Sequence, residues 1–232
     1  SIHTLIKIEK QHPDPNDLKL INTSLEEFRQ SFKVFSRYRD IRKVCIFGSA
    51  RTKPTEKDYI MTEKISKELT QRGYLLITGA GPGIMEAGNK GSEPNKSFGL
   101  NIELPFEQSA NEYIANDPKL VSYRYFFVRK LIFIKESDAT IMFPGGFGTQ
   151  DEGFEVLTLM QTGRCAPRPV ILLADPDNNY WIKWKKYIKT QLEEKEYIDT
   201  DDLDMFKITH SIEESIKEIE NFYKIYHFSI KN

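Results

Sequence analysis

The segment Ala139-Thr140-Ile141-Met142-Phe143-Pro144-Gly145-Gly146-Phe147-Gly148-Thr149-Gln150-Asp151-Glu152 decides how the rest of the chain is read. An apolar run from Ala139 to Phe143 leads into a glycine turn. Beyond it Phe154, Leu157, Leu159 and Met160 recur at roughly helical spacing, so the segment reads as strand, turn and helix. A glycine turn at that junction lets backbone N–H groups approach an anion, and the helix N-terminus adds partial positive charge. This is phosphate-binding geometry. Asp151, Glu152 and Glu155 fall in the first turns of the same helix, where an acid either meets the non-phosphate part of a ligand or serves only the helix dipole.

The same pattern repeats outward from this segment. Val44-Cys45-Ile46-Phe47 reads as a buried strand ending at Gly48-Ser49-Ala50-Arg51, with Ile60, Ile65 and Leu69 marking the helix that follows. Tyr74 to Thr78 is a second strand, running into Gly79-Ala80-Gly81-Pro82-Gly83, where Pro82 suits the first turn of a helix carrying Glu86. Phe98 to Ile102 is a third, and the polar stretch after it, with Glu107, Gln108 and Asn111 close together, reads as a long loop of a kind that is commonly functional and sometimes merely exposed. Val121 to Tyr125 is short and β-prone, and a helix through Phe127, Leu131 and Ile134 carries Arg129 and Lys130. Neighbours on a helix point about 100° apart, so these two cations are expected to serve different surfaces. Pro169 to Leu173 reads as the last core strand, and Tyr180, Trp181, Trp184 and Tyr187 as an aromatic stripe of core or subunit-contact type.

Apolar strands alternating with helices from residue 42 to 193 predict an α/β fold with a doubly wound, Rossmann-like parallel sheet. Three glycine turns, after Phe47, Thr78 and Phe143, then fall at carboxyl ends of strands, where ligands bind in such sheets. Residues 1–40 hold Leu25, Phe28, Phe32 and Phe35 at spacings of three and four, predicting a helical extension on a single nucleotide-binding domain of residues 41–232.

Composition narrows the partner. The 232 residues carry 33 basic and 34 acidic side chains, a net charge of −1, which favours a small molecule over nucleic acid or an anionic membrane. Cys45 and Cys165 form no paired spacing, and no apolar run reaches the length of a membrane span, so a reducing, cytoplasmic setting is expected. His3, His12, His210 and His227 lie near the termini, outside the motifs, which argues against a histidine base or a metal centre. Glycine turns, an arginine and several glutamates suit cleavage of a glycosidic bond, where positive charge develops on the sugar and negative charge on the leaving group.

Arg129-Lys130 followed by Pro144-Gly145-Gly146-Phe147-Gly148-Thr149-Gln150-Asp151-Glu152 resembles the paired pattern of the LONELY GUY family, cytokinin riboside 5′-monophosphate phosphoribohydrolases long mislabelled as lysine decarboxylases. The resemblance covers about residues 42 to 193. Gly79 to Ala87 and Leu104-Pro105-Phe106-Glu107-Gln108 look like the corresponding segments of its longer-chain branch, which the leading helix of residues 24–39 also fits. The resemblance implies hydrolysis of an adenosine 5′-monophosphate, often N6-modified, to free base and ribose 5-phosphate, with no cofactor and no metal. It assigns Arg129 and Glu152 as the catalytic pair and Gly145, Gly146, Gly148 and Thr149 to the phosphate. Glu86, Lys130, Glu155 and Thr158 would line the substrate pocket, with Gly48, Ser49, Gly79, Gly81, Gly83, Glu107, Pro144 and Phe147 beside them. It also implies a homodimer or higher homo-oligomer with the site near the subunit boundary. Ala80 departs from the third glycine that shorter members carry there. A non-catalytic carrier of a nucleotide or of the phosphorylated pterin of the molybdenum cofactor is the competing reading. A pyridoxal-phosphate decarboxylase, the third, would need a Schiff-base lysine, for which Lys130 is the one candidate within the motifs.

Overall fold

The computed structural model describes residues 2–104 and 109–230. Its centre is a seven-stranded, wholly parallel sheet of β1 (Lys43–Phe47), β2 (Leu75–Thr78), β3 (Ser97–Ile102), β4 (Leu120–Tyr123), β5 (Ala139–Met142), β6 (Val170–Leu173) and β7 (Lys207–Thr209), in the order β4-β3-β2-β1-β5-β6-β7. Every residue of β1, β2, β5 and β6 is buried, as expected where helices cover both faces of a parallel sheet. Alternation along β1 shows how the two cores divide. Cys45 and Phe47 face one core, Val44 and Ile46 the other.

The first core is closed by α2 (Pro15–Phe35), α5 (Phe126–Glu136), α6 (Phe147–Gln161) and α7 (Tyr180–Ile188), the second by α3 (Lys57–Gln71), α4 (Ile84–Gly91) and α8 (Ile212–Ile230). A short α1 (Ile2–Lys10) precedes them. Pro15 opens α2 behind Asp14, whose side chain accepts the Asn16 N–H at 2.7 Å. The leading helix therefore begins earlier than the aromatic spacing indicates and gives way to a 3₁₀ turn at Ser36–Tyr38. Phe35 stacks on Phe98 with ring centroids 4.4 Å apart, a contact worth about 1 kcal/mol beyond burial. Ser31 shares a 2.7 Å hydrogen bond with the Tyr123 hydroxyl, and Glu27 accepts the Arg124 N–H at 2.7 Å.

β7 corrects the expectation that Pro169 to Leu173 ends the sheet. It spans three residues and carries Lys207 beside Ile208 and Thr209, so it has no apolar run to announce it; pairing with β6 makes it a strand. Strand order reverses between β1 and β5, whose carboxyl ends flank the crevice where ligands bind in this architecture. Among the described residues no helix is long and apolar enough to cross a membrane.

Candidate active site

The turns that follow β2, β1 and β5 meet at that crevice and are tied together through their backbones. Ser49 donates its N–H to the Pro144 carbonyl at 3.1 Å, and Ile84 donates to the Ser49 carbonyl at 3.1 Å. Asn111 fastens the second turn, its side-chain amide donating to the carbonyls of Ala80 (3.0 Å) and Gly81 (3.1 Å). Between the turns lies a cavity of about 840 Å³, within the size range of small-molecule sites.

The second and third of these glycine turns in chain order use glycine differently. Gly83 has φ +68°, and a Cβ there would sit 2.4 Å from the Ser49 carbonyl oxygen. Gly146 and Gly148 have nothing within 4 Å of where a Cβ would stand. They border open space. α6 starts at Phe147 with Gly146 as its N-cap, and no side chain caps it. Its first helical bond runs from the Gln150 N–H to the Gly146 carbonyl (3.1 Å), and among the described residues the N–H groups of Gly146, Phe147, Gly148 and Thr149 find no acceptor. Free N–H donors at a helix N-terminus can take an anion.

Glu152 is four residues beyond Gly148, on the same helix face and about 6 Å further along the axis. The first turn of α6 contains no acid, so Glu152 stands too deep to act mainly on the dipole at the helix end. Its side chain is 7% exposed and its carboxylate lies between two cations: Arg129 Nη2 is 3.9 Å from Oε1, and Lys130 Nζ is 3.2 Å from Oε2. Adjacent residues of α5 thus serve one carboxylate, contrary to the expectation from their angular separation. Each long side chain bends toward a different oxygen of the same acid.

Burial pushes the Glu152 carboxyl above the ordinary glutamate range, against the pull of Lys130 and Arg129. Burial also lowers the Arg129 pKa, opposed by Glu152, yet a guanidinium stays charged in a protein. The Arg129 Nε is buried without a hydrogen-bond partner among the described residues, and the group lies over the rings of Phe126 (5.0 Å) and Phe133 (5.6 Å). Burial works against the Lys130 ammonium too, but Glu155 (2.8 Å), Glu152 and Asp151 (3.0 Å) outweigh it and hold its pKa above the ordinary lysine value.

Of the residues expected at the site, Gly48, Ser49, Gly79, Gly81, Gly145, Gly146, Phe147, Gly148 and Thr149 line the cavity together with Arg129 and Glu152. Gly83, Pro144, Glu86, Lys130, Glu155 and Thr158 are not among the lining residues. Gly83 packs against Ser49, and the Pro144 carbonyl is taken by the Ser49 N–H. Glu86 accepts the Tyr59 hydroxyl at 2.7 Å. Lys130 and Glu155 pair with each other, and Thr158 is exposed further along α6. Glu107 lies outside the described residues.

Sequence reasoning passed over Tyr180, Phe126 and Asn101, all of which line the cavity. Phe126 precedes Arg129 by three residues and so shares its helix face. Asn101 stands near the carboxyl end of β3, the position at which such sheets bind ligands. Tyr180 was hidden in an aromatic stripe whose Trp181 is fully buried.

A family model described as "possible lysine decarboxylase" matches residues 78–219, more than half of the chain. The chain belongs to that family. Its label is the one the sequence resemblance to the LONELY GUY enzymes carries. No curated protein matches by sequence. Among solved structures, the chain is similar to the molybdenum cofactor binding protein of the phototrophic bacterium Rippkaea orientalis, with 21% identity and a TM-score of 0.57 over 79% of this chain and 98% of that one. The molybdenum cofactor carrier protein of Chlamydomonas reinhardtii gives 16% identity and a TM-score of 0.53 over 79% and 99%. DNA processing protein A of Helicobacter pylori gives 16% and 0.52 over 79% and 80%. At these identities the likeness is one of fold. The family's label implies pyridoxal phosphate, which needs a lysine that can become neutral at the pocket. Among the described residues no lysine lines this cavity, and Lys130 is held charged by three carboxylates, so the residues present do not fit that cofactor.

Proposed function

We propose that the protein hydrolyses the N-glycosidic bond of an adenosine 5′-monophosphate, plain or N6-modified, to free base and ribose 5-phosphate. The observation that carries this reading is the position of the buried Arg129 and Glu152 pair, one helical turn in from an uncapped helix N-terminus within one cavity. The N–H groups of Gly146 to Thr149 take the 5′-phosphate, which brings the ribose over the next turn of α6. Water adds at C1′ while the base leaves with a proton. The ionised Glu152 offsets the positive charge of the oxocarbenium-like sugar or orients the water, and Arg129 supports the leaving base or anchors the nucleotide. Lys130 holds the carboxylate in place.

The carrier reading needs the phosphate cradle but has no use for a buried acid between two cations. Incubation with AMP, isopentenyl-AMP and adenosine separates the two. Release of free base from either nucleotide, with adenosine a poor substrate, is the expected result; tight nucleotide binding without release favours a carrier. Because the ionised form of Glu152 acts and burial raises its pKa, the acid limb of the rate profile should lie above the ordinary glutamate value.

The same reading extends to assembly. Phe126, Phe127 and Leu131 of α5 are each about half exposed, at 49%, 51% and 49%, and Phe126 also lines the cavity. A second copy of the chain covering this face would form a homodimer with the site near its boundary, and light scattering on the purified protein tests it. Two free cysteines, one of them buried, suit the cytoplasm.

A further inference from the structure

A chain of hydrogen bonds runs from α7 into the phosphate turn. The Tyr180 hydroxyl donates to the Gly145 carbonyl at 2.6 Å and itself accepts from the Gln150 side-chain amide at 2.7 Å. The oxygen of that amide accepts the Trp184 indole N–H at 2.8 Å. Gln150 is thereby held from both ends, and the Tyr180 proton is directed onto the turn.

The peptide between Gly145 and Gly146 is trans, so its carbonyl and its N–H point in opposite directions. Fixing the Gly145 carbonyl therefore fixes where the Gly146 N–H points. That N–H belongs to the group of donors without an acceptor, and Gly146 borders open space. Glycine residues rotate freely about φ and ψ. Without an anchor this peptide can turn over, replacing a donor toward the anion with a carbonyl oxygen that repels it.

We infer that Tyr180 is a positioning residue for the phosphate site, acting through the Gly145–Gly146 peptide. The inference rests on the proposed phosphate cradle and adds to it a residue outside the motif. It predicts that discrimination between nucleotide and nucleoside is set partly from α7. Gln150 orients the tyrosine, so its role is weaker and of the same kind.

The test is Tyr180→Phe, which keeps the ring and removes the donor. Binding of ribose 5-phosphate, measured by calorimetry, is expected to weaken about tenfold, the equivalent of one oriented hydrogen bond. KM for AMP should rise while that for adenosine stays level, and the melting temperature should move little. Gln150→Leu should weaken binding in the same direction by less. Wild-type affinity of Tyr180→Phe for ribose 5-phosphate overturns the inference, as does a fall in melting temperature with affinity unchanged. Calorimetry needs no turnover. A wild-type protein that binds ribose 5-phosphate but releases no base therefore defeats the hydrolase reading and leaves this one standing, whereas failure of the wild type to bind it defeats both.

Discussion

The second glycine turn, Gly79 to Gly83, and the third, Gly145 to Gly148, look alike in sequence and are finished in different ways. The second is closed by protein. Asn111 takes the carbonyls of Ala80 and Gly81, and the space a Cβ would need at Gly83 is filled by Ser49. The third is anchored on one side by Tyr180 and left open on the other, with its donors free and empty space before Gly146 and Gly148. Glycine in the second turn answers to a protein neighbour. In the third, Gly145 also answers to the protein, since a Cβ there would run into the Thr149 side chain, whereas nothing in the protein requires glycine at Gly146 and Gly148, and on the proposed reading these two answer to a ligand.

Substitutions can break this comparison, and the largest expected effect is at Gly83. Gly83→Ala places a Cβ 2.4 Å from a backbone oxygen at φ +68°, and should cost roughly 3 kcal/mol or more of stability, read from a denaturant midpoint. A wild-type midpoint would mean that the second turn is not closed by packing. At Gly148 the effects should separate. Gly148→Ala lies inside a helix and should gain up to about 1 kcal/mol of stability, while nucleotide affinity falls about tenfold or more as the methyl group enters the phosphate position. Lost stability with affinity intact would assign this glycine to the fold.

The smallest effect is expected at Ala80, which sits at φ +61° where the sequence departs from a third glycine. Relief of about 1 kcal/mol of strain in Ala80→Gly should nearly cancel the extra chain entropy of glycine, leaving the midpoint within about 0.5 kcal/mol of wild type. A large loss would show that the alanine methyl group, fully buried, contributes packing that outweighs its strain.

The sheet was legible in the sequence because β1, β2, β5 and β6 are buried on both faces and write continuous apolar runs. β7 was not, since three residues beginning with a lysine become a strand only through their partner. At the site, glycine turns with fixed spacing stood out, while Arg129 and Glu152 were singled out by the family resemblance alone. The convergence of Lys130 with Arg129 did not, because residue spacing gives the direction of Cβ and says little about the end of a long side chain. Tyr180 was illegible for a related reason: its hydroxyl reaches a carbonyl 35 residues away, and the tryptophan beside it, Trp181, is core.

The central claim is that Glu152 acts on a nucleotide held by the open turn, and Glu152→Gln tests it most directly. The variant keeps size and hydrogen bonding and removes the charge. Base release from AMP per folded molecule should fall by roughly 10² or more while AMP affinity, measured on the same preparation, persists through the backbone donors of Gly146 to Thr149. Unchanged release accompanied only by a shifted melting temperature would contradict the account and leave Glu152 as a structural acid.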